Sequence, residues 1–287
     1  MRAADGHHDT AIEVVVEPSV YDAAVDLLWQ HGAAAVAEVE GADGSTTLLA
    51  GFEPARIGNE APDMAPVIGA LRLLGARPRT ITIDADAGWL TTWRAGEPSH
   101  SVGPFHLRLP EHQAVATAVV TPIDLVIEPS TTFGFSHAST RLALALLGGL
   151  DLTQARVADI GCGSGVLAIA AAKLGAASVH AVDIDDHAVA TTIENAHRNE
   201  IELTAIIGSV GALPSGAYDL VLANLTAGTS TALAPNLVPK MARNARLLVS
   251  GLLASQAEAV RRAFSGLTVE AELGEGQWHA LLLHRPE

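Results

Sequence analysis

Strand-like runs alternate with helix-like runs from about residue 125 to residue 287. Short runs rich in Val, Ile and Leu predict strands, and longer runs with apolar residues at helical spacing predict helices. The predicted strands are 156–160, 178–182, 204–207, 218–223, 245–250, 269–271 and 279–283. The predicted helices are 165–174, 187–199, 227–238 and 257–264. This alternation predicts an α/β, doubly wound and mainly parallel sheet with helices on both faces. Ligands of such sheets bind beyond the carboxyl ends of the strands.

A glycine-rich segment, Asp159-Ile-Gly161-Cys-Gly163-Ser-Gly165, joins the first of these strands to the first helix. Its glycines permit a tight turn and a close approach of the backbone to a ligand. The following helix N-terminus offers free N–H groups and a partial positive charge. The dinucleotide fingerprint G-x-G-x-x-G fails here, because Val166 occupies the third glycine position. Asp159 suits a ligand with a cationic amino-acid end and no phosphate, and S-adenosylmethionine is such a ligand.

Two further polar residues follow predicted strands of the same sheet. Asp183 ends the next strand, 24 residues after Asp159, where a carboxylate can accept both hydroxyls of a ribose. The alternative for Asp183 is a turn former or a helix cap. Asn224 follows strand 218–223 and offers a donor and an acceptor at the pocket mouth, although asparagine is also common where strands turn. Cys162 has no assigned base beside it, so we do not interpret it as a nucleophile.

The first part of the chain has a different pattern. Strands are predicted at 11–17, 34–40, 46–52 and 79–84, and helices at 21–31 and 64–74. This βαββαβ order predicts a small α+β, ferredoxin-like domain. The fold hosts many functions and names none by itself.

Residues 85–124 are interpreted as a connecting segment. Trp89 and Trp93 are four residues apart and share one face if the segment is helical. They would then anchor the segment to a domain or, less simply, stack on a ligand. Pro and Gly residues mark 96–110 as a candidate hinge. The predicted domains are therefore 1–84, the connecting segment 85–124, and 125–287.

Charge and composition limit the class of protein. The net charge is −15, from 17 basic and 32 acidic residues. Such a surface disfavours nucleic acid and suits a basic macromolecular partner, or simply keeps the chain in solution. The apolar runs are too short to span a membrane, and the first ten residues lack a signal sequence. The single cysteine excludes an intrachain disulfide and a Cys-rich zinc site. We therefore expect a cytoplasmic protein with neither a metal site nor a membrane segment.

Taken together with their flanks, these residues resemble the ribosomal protein L11 methyltransferase family. The resemblance extends over about residues 85–287, and the βαββαβ start agrees with the family's substrate-recognition domain in element order. It is carried by IEPSTTFGFSHASTR at 127–141, VADIGCGSGVLAIAAA at 157–172, LGAASVHAVDID at 174–185, DLVLANLTAG at 219–228 and VSGLLASQAEAV at 249–260. The glycine loop is common to many methyltransferases, whereas the ANLTAG and SGLLASQ segments are more specific to this family.

The resemblance implies an S-adenosylmethionine-dependent enzyme with cofactor contacts at Thr140, Gly161, Asp183 and Asn224. Thr140 also precedes a helix-like run, 141–147, so it is a candidate N-cap as well. The family pattern in this loop is F-G-T-G-x-H, followed by a small residue and two threonines. This chain has FGFSHAST at 133–140 instead. Its segment is one residue shorter, and Ser136 replaces a glycine. This loop is expected near the reacting methyl group. His137 is a candidate substrate contact or, equally, a packing histidine, and Asn224 is a second substrate-side candidate.

Three functions remain open at this point. The first is N-methylation of lysine or α-amino groups of ribosomal protein L11. The second is methylation of another protein or of a small molecule by the same fold. The third is a non-catalytic cofactor-binding or scaffold protein, which only the altered 133–140 loop favours. A nucleic-acid methyltransferase is disfavoured by the charge and by Asn-Leu-Thr at 224–226, where an Asn-Pro-Pro-aromatic motif would stand.

Overall fold

A computed structural model describes residues 8–31, 33, 35–40, 46–52, 63–84, 98–113, 122–128 and 137–287. These residues fall into two compact units, which meet in sequence between Pro98 and Ser99. Among the helices of these ranges, none is long and apolar enough to cross a membrane. The predicted pair Trp89 and Trp93 lies outside the described residues.

The first unit is a four-stranded antiparallel sheet with two helices. Its elements are β1 (His8–Val16), α1 (Tyr21–Gln30), β2 (Ala35–Glu40), β3 (Thr46–Phe52), α2 (Ala65–Leu73) and β4 (Arg77–Asp84). The strands lie in the order β2-β3-β1-β4. Alternate residues of β3 are buried, so Leu48 and Ala50 reach a core to which the helices contribute Leu28 and Leu71. The βαββαβ element order is the one that the sequence pattern indicates.

The second unit begins with a small three-stranded sheet. It consists of β5 (His100–Val102), β6 (Phe105–Arg108) and β7 (Ile123–Val126), with β5 antiparallel and β7 parallel to β6. Arg108 of β6 forms an ion pair with Asp124 of β7. Its Nε and one terminal nitrogen donate to the carboxylate at 2.9 and 2.8 Å. The described residues from Ser99 to Val126 thus belong to the second unit. The division at 84/85 and 124/125 stays a prediction.

The main sheet of the second unit has seven strands. They are β8 (Arg156–Ile160), β9 (Ser178–Asp183), β10 (Thr204–Ile207), β11 (Tyr218–Asn224), β12 (Met241–Leu253), β13 (Thr268–Glu275) and β14 (Trp278–His284). Their spatial order is β10-β9-β8-β11-β12-β14-β13. The first five in this order are parallel, and β14 is antiparallel to both of its neighbours. The predicted mainly parallel, doubly wound sheet is confirmed.

Helices cover both faces of this sheet. They are α3 (Ala138–Leu147), α4 (Val166–Lys173), α5 (Asp186–Arg198), α6 (Ala227–Leu237) and α7 (Ala257–Ala263). One core joins α6 and α7 to inward residues such as Val182, Ala223 and Val249. The residues between these inward positions are buried on the opposite face, where α3, α4 and α5 pack in series.

Strand β12 extends beyond both ends of the predicted strand 245–250, and it continues through Gly251. The pairing of β12 with β14 shifts register between Val249 and Leu252, which makes a β-bulge at Ser250 and Gly251. Gly251 has a φ of +81°, and a Cβ there would lie 2.5 Å from the carbonyl oxygen of Leu225. Only glycine fits this position without movement of the backbone.

Candidate functional site

The glycine loop lies at the carboxyl end of β8 and leads into α4. Gly161, Gly163 and Gly165 have φ angles of +70°, +54° and +78°, so all three adopt the left-handed region. A Cβ on Gly161 would lie 2.4 Å from Cδ2 of Leu225. On Gly165 it would lie 2.9 Å from Cγ2 of Thr192. The loop therefore needs its glycines for their left-handed backbone conformation, and it needs Gly165 also because α5 leaves no space there for a Cβ.

Asp159, the last residue but one of β8, is a buried carboxylate next to this loop. Its Oδ2 accepts a hydrogen bond of 3.1 Å from the backbone N–H of Ala168, in the first turn of α4. Burial raises the pKa of Asp159 to about 7, and the nearby negative charge of Asp183 acts in the same direction, against the Ala168 hydrogen bond. A cation bound nearby would favour the ionised form.

Asp183 ends β9, the strand beside β8, and its carboxylate reaches the glycine loop. Its Oδ2 accepts from the N–H of Gly163 at 3.0 Å, and its Oδ1 accepts from the N–H of Asp185 at 3.1 Å. The second contact is the turn-forming role that the sequence left open. The helix-cap role belongs instead to Asp185, which accepts from the N–H of His187 at the start of α5.

Asn224 ends β11 and joins a polar network with the start of α3. Its Nδ2 donates to Oγ1 of Thr140 at 3.3 Å, and its Oδ1 accepts from Oγ of Ser250 at 2.7 Å. The Ser250 hydroxyl also lies 3.1 Å from the carbonyl oxygen of Ser139. These three side chains and the carbonyl group of Ser139 hold α3 against the carboxyl ends of β11 and β12.

The N-cap of α3 is His137, and not Thr140 as one alternative had it. The Nδ1 of His137 accepts from the N–H of Ser139 at 3.2 Å, so the helix begins three residues before the predicted 141–147 run. Thr140 lies inside the first turn, which turns its hydroxyl towards Asn224. The His137 ring also meets the ring of Trp278 edge-on, with centroids 4.3 Å apart. These contacts support the packing alternative for His137. Residues 129–136 lie outside the described residues, including the first half of the altered loop, 133–136.

The strand register brings these groups to one edge of the sheet. Leu222 is the partner of Asp159 between β11 and β8, so Asn224 lies beside Gly161. This is the point where the strand order reverses direction, between β8 and β11, at which ligands of doubly wound sheets bind. A glycine loop here, with an acidic residue at the end of the neighbouring strand, defines a class I S-adenosylmethionine-dependent methyltransferase.

The chain belongs to the ribosomal protein L11 methyltransferase family. The family profile, Ribosomal protein L11 methyltransferase (PrmA), matches residues 72–286. The ribosomal protein L11 methyltransferase of Methylococcus capsulatus is 34% identical over 274 residues, which cover 90% of this chain and 92% of the relative. That of Thermus thermophilus is 39% identical over 204 residues, covering 70% and 78%. The crystal structure of a ribosomal protein L11 methylase from Lactobacillus delbrueckii subsp. bulgaricus aligns with a TM-score of 0.58 at 26% identity, over 64% of this chain and 94% of that one.

Several residues of the site were not singled out from the sequence. Ser250 and Gly251 lie in the SGLLASQ segment but show no chemical pattern of their own. Thr192 and Asn195 belong to α5 and are buried, although they are polar. Two asparagines at i and i+4, Asn195 and Asn199, were a signal that the sequence contained.

Cys162 lies in the glycine loop and its side chain is buried. Its Sγ lies 3.3 Å from the hydroxyl oxygen of Thr192. Burial, with the negative charge of Asp159 second, raises the pKa of the thiol well above its usual range. A thiol in such surroundings is a poor nucleophile, as the sequence predicts for Cys162. Within the described ranges, no group of three or more His, Cys, Asp or Glu side chains is placed to hold a metal ion.

Proposed function

We propose that the edge formed by Asp159, the glycine loop and Asp183 binds S-adenosylmethionine, and that the chain methylates amino groups of ribosomal protein L11. The observation that carries the cofactor site is the contact of Asp183 with Gly163, which holds a carboxylate at the rim of a loop whose three glycines all adopt the left-handed backbone region. Gly165 is the N-cap of α4, whose N-terminus favours the carboxylate end of an amino acid.

Apolar side chains beside Asp183 support the adenosine end of the same site. Ile184 follows Asp183 directly and is 80% exposed, and Ile207 at the end of β10 is 61% exposed. Ile207 is the strand partner of Asp183. The free energy falls when a flat, apolar ring covers large apolar side chains that are otherwise exposed to water. The proposed assignment is therefore ribose on Asp183 and the adenine ring over these isoleucines.

Bound at this edge, S-adenosylmethionine supplies an electrophilic methyl group on a sulfonium ion. The chain's own part is to bind, orient and exclude water. We assign Gly161, Gly163 and Gly165 to backbone contact with the cofactor. We assign Thr140 and Asn224 to the wall on the acceptor side, where the amide of Asn224 can accept a hydrogen bond from an uncharged amine. No group of the described residues is assigned as a general base, since an amine can lose its proton to water before it is buried.

The substrate assignment rests on the relatives, whose names specify ribosomal protein L11. The net charge of −15 favours a basic partner. The βαββαβ unit, which is separate from the cofactor site in sequence and has its own core, is proposed as the part that recognises the protein substrate.

Affinity for S-adenosylmethionine is expected to rise with pH because of Asp159. The ligand carries a net positive charge, so it prefers the ionised carboxylate, whose pKa is about 7 in the free protein. If only the ionised form binds, Kd falls roughly 8-fold between pH 6 and pH 7.5. The same raised pKa costs the unliganded protein stability as pH rises from about 4, the unfolded value, to about 7, because the folded state holds the proton more tightly. Calorimetric titrations at several pH values measure the first effect.

The matched variant for this measurement is Asp159→Asn. Its amide oxygen still accepts from Ala168, but it has no charge to titrate. The variant should bind more weakly at pH 7.5, and its Kd should show only the titration of the ligand itself. A wild-type Kd that follows the same pH curve as the variant would contradict the role of Asp159.

The test of the proposed function combines binding with transfer. Purified protein is titrated with S-adenosylmethionine and then incubated with radiolabelled cofactor and purified L11. Binding followed by labelling of L11 is the expected result. Binding without labelling would keep the cofactor site and exclude L11 as the substrate. Absence of binding would contradict the proposed site and favour the scaffold alternative.

A further inference from the structure

Asn195 on α5 connects the glycine loop with a segment 67 residues away in sequence. The side chain is fully buried. Its Oδ1 accepts from the N–H of Glu128 at 2.9 Å, and its Nδ2 donates to the carbonyl of Glu128 at 2.7 Å. The same Nδ2 donates to the carbonyl of Ser164, inside the glycine loop, at 2.9 Å. One amide hydrogen of Asn195 is thus donated to Glu128 and the other to Ser164.

Asn199, one helical turn later, binds the same extended segment but does not contact the glycine loop. Its Oδ1 accepts from the N–H of Val126 at 3.0 Å, and its Nδ2 donates to the carbonyl of Val126 at 2.6 Å. The two asparagines together pair with alternate residues of one extended segment, as a neighbouring strand would. The other hydrogen of Asn199 goes to the carbonyl of Asn195 at 2.8 Å, within its own helix. Asn199 therefore holds the segment without a contact to the glycine loop.

A second side chain of α5 holds the loop residue before Ser164. The hydroxyl of Thr192 donates to the carbonyl of Gly163 at 3.0 Å. In a trans peptide the C=O and N–H groups point in opposite directions. Fixing the carbonyls of Gly163 and Ser164 on α5 therefore fixes the direction of the next two N–H groups. Thr192 and Asn195 of α5 therefore hold the backbone of the glycine loop at Gly163 and Ser164.

We propose that Asn195 is a positioning residue for the cofactor site, which holds the Ser164 carbonyl and the Glu128 backbone in one fixed arrangement. This rests on the proposed binding of S-adenosylmethionine at the glycine loop. Asparagine suits the task because it has two donors and an acceptor on one short, rigid side chain. Aspartate has the same shape but no hydrogens to donate, so both buried carbonyls would face an acceptor.

The test compares Asn195→Asp with Asn199→Asp in the full chain. Each change removes two donors from buried backbone carbonyls and keeps the acceptor oxygen, so both variants should unfold at a lower temperature than the wild type. Only Asn195→Asp should raise the Kd for S-adenosylmethionine, by about 10-fold or more, since only Asn195 touches the loop. Asn199→Asp should bind within about 2-fold of the wild type.

A Kd for Asn195→Asp equal to that of the wild type, with the cofactor still bound by both, would overturn the positioning role alone. Equal losses of affinity in both asparagine variants would also overturn it, because the effect would then come from general loosening of α5. A wild-type chain that does not bind S-adenosylmethionine would contradict the proposed function, and this role with it. If Asn195→Asp does not fold, the pair Asn195→Ala and Asn199→Ala gives the same comparison.

Hydrogen exchange gives a second readout, which a purely stabilising role would not change. In the wild type, cofactor binding should slow exchange of the Glu128 N–H, because Asn195 transmits the order of the loop to it. In Asn195→Ala this slowing should be lost. Slowing of equal size in both proteins would contradict the connection.

Discussion

Replacing Asp183 by alanine is expected to weaken S-adenosylmethionine binding by about 1–3 kcal/mol, which is roughly 5- to 150-fold in Kd. The change removes the carboxylate proposed to accept both ribose hydroxyls. It also removes the acceptor for the N–H groups of Gly163 and Asp185, so the rim of the loop loses an anchor. Isothermal titration calorimetry of the variant, beside its thermal unfolding curve, measures both effects.

Two controls separate the ribose contact from the loop contact. Asp185→Ala removes a neighbouring carboxylate that only caps α5, so it should lower stability by about 1 kcal/mol without a change in Kd. The second control is a ligand pair, S-adenosylhomocysteine and its 2′-deoxyribose analogue. The wild type should prefer the ribose form, and Asp183→Ala should not distinguish the two. An unchanged preference in the variant would show that Asp183 orders the loop but does not bind ribose.

Removal of residues 1–98 is expected to abolish methylation of L11, with a loss of at least about 100-fold, while cofactor affinity stays within about 2-fold. The second unit retains the glycine loop, Asp183, Thr140 and Asn224 with all their described contacts. The proposed reader of the protein substrate is removed. The measurements are label transfer to L11 and calorimetric titration with S-adenosylmethionine, both on the truncated chain.

The truncated chain needs a check of its own, because loss of activity from unfolding would mimic loss of recognition. Cooperative thermal unfolding together with an unchanged Kd shows that the cofactor site is intact. Retained methylation of L11 under these conditions would mean that the βαββαβ unit is not the reader. A truncated chain that folds but has lost the cofactor would contradict the expectation that the second unit binds S-adenosylmethionine without residues 1–98.

Local pattern was sufficient for much of the fold. The βα alternation predicted the parallel sheet, because strand and helix periods differ and can be recognised within a few residues. Asp159, the three glycines and Asp183 were found for the same reason, since each lies at a fixed place after a strand. The errors were also local: β12 passes through Gly251 as a bulge, and α3 begins at a histidine cap that no common capping pattern indicates.

The sequence by itself determined the class of fold, the glycine loop, the strand-end carboxylates and the family. Tertiary structure alone decided which distant groups meet. The contact of Asn195 with Glu128, the network around Asn224 and the insertion of β14 between β12 and β13 all join residues far apart in the chain, and such pairings leave no period in the sequence. The raised pKa of Asp159 belongs to the same class, because burial is a property of the whole surroundings of a side chain.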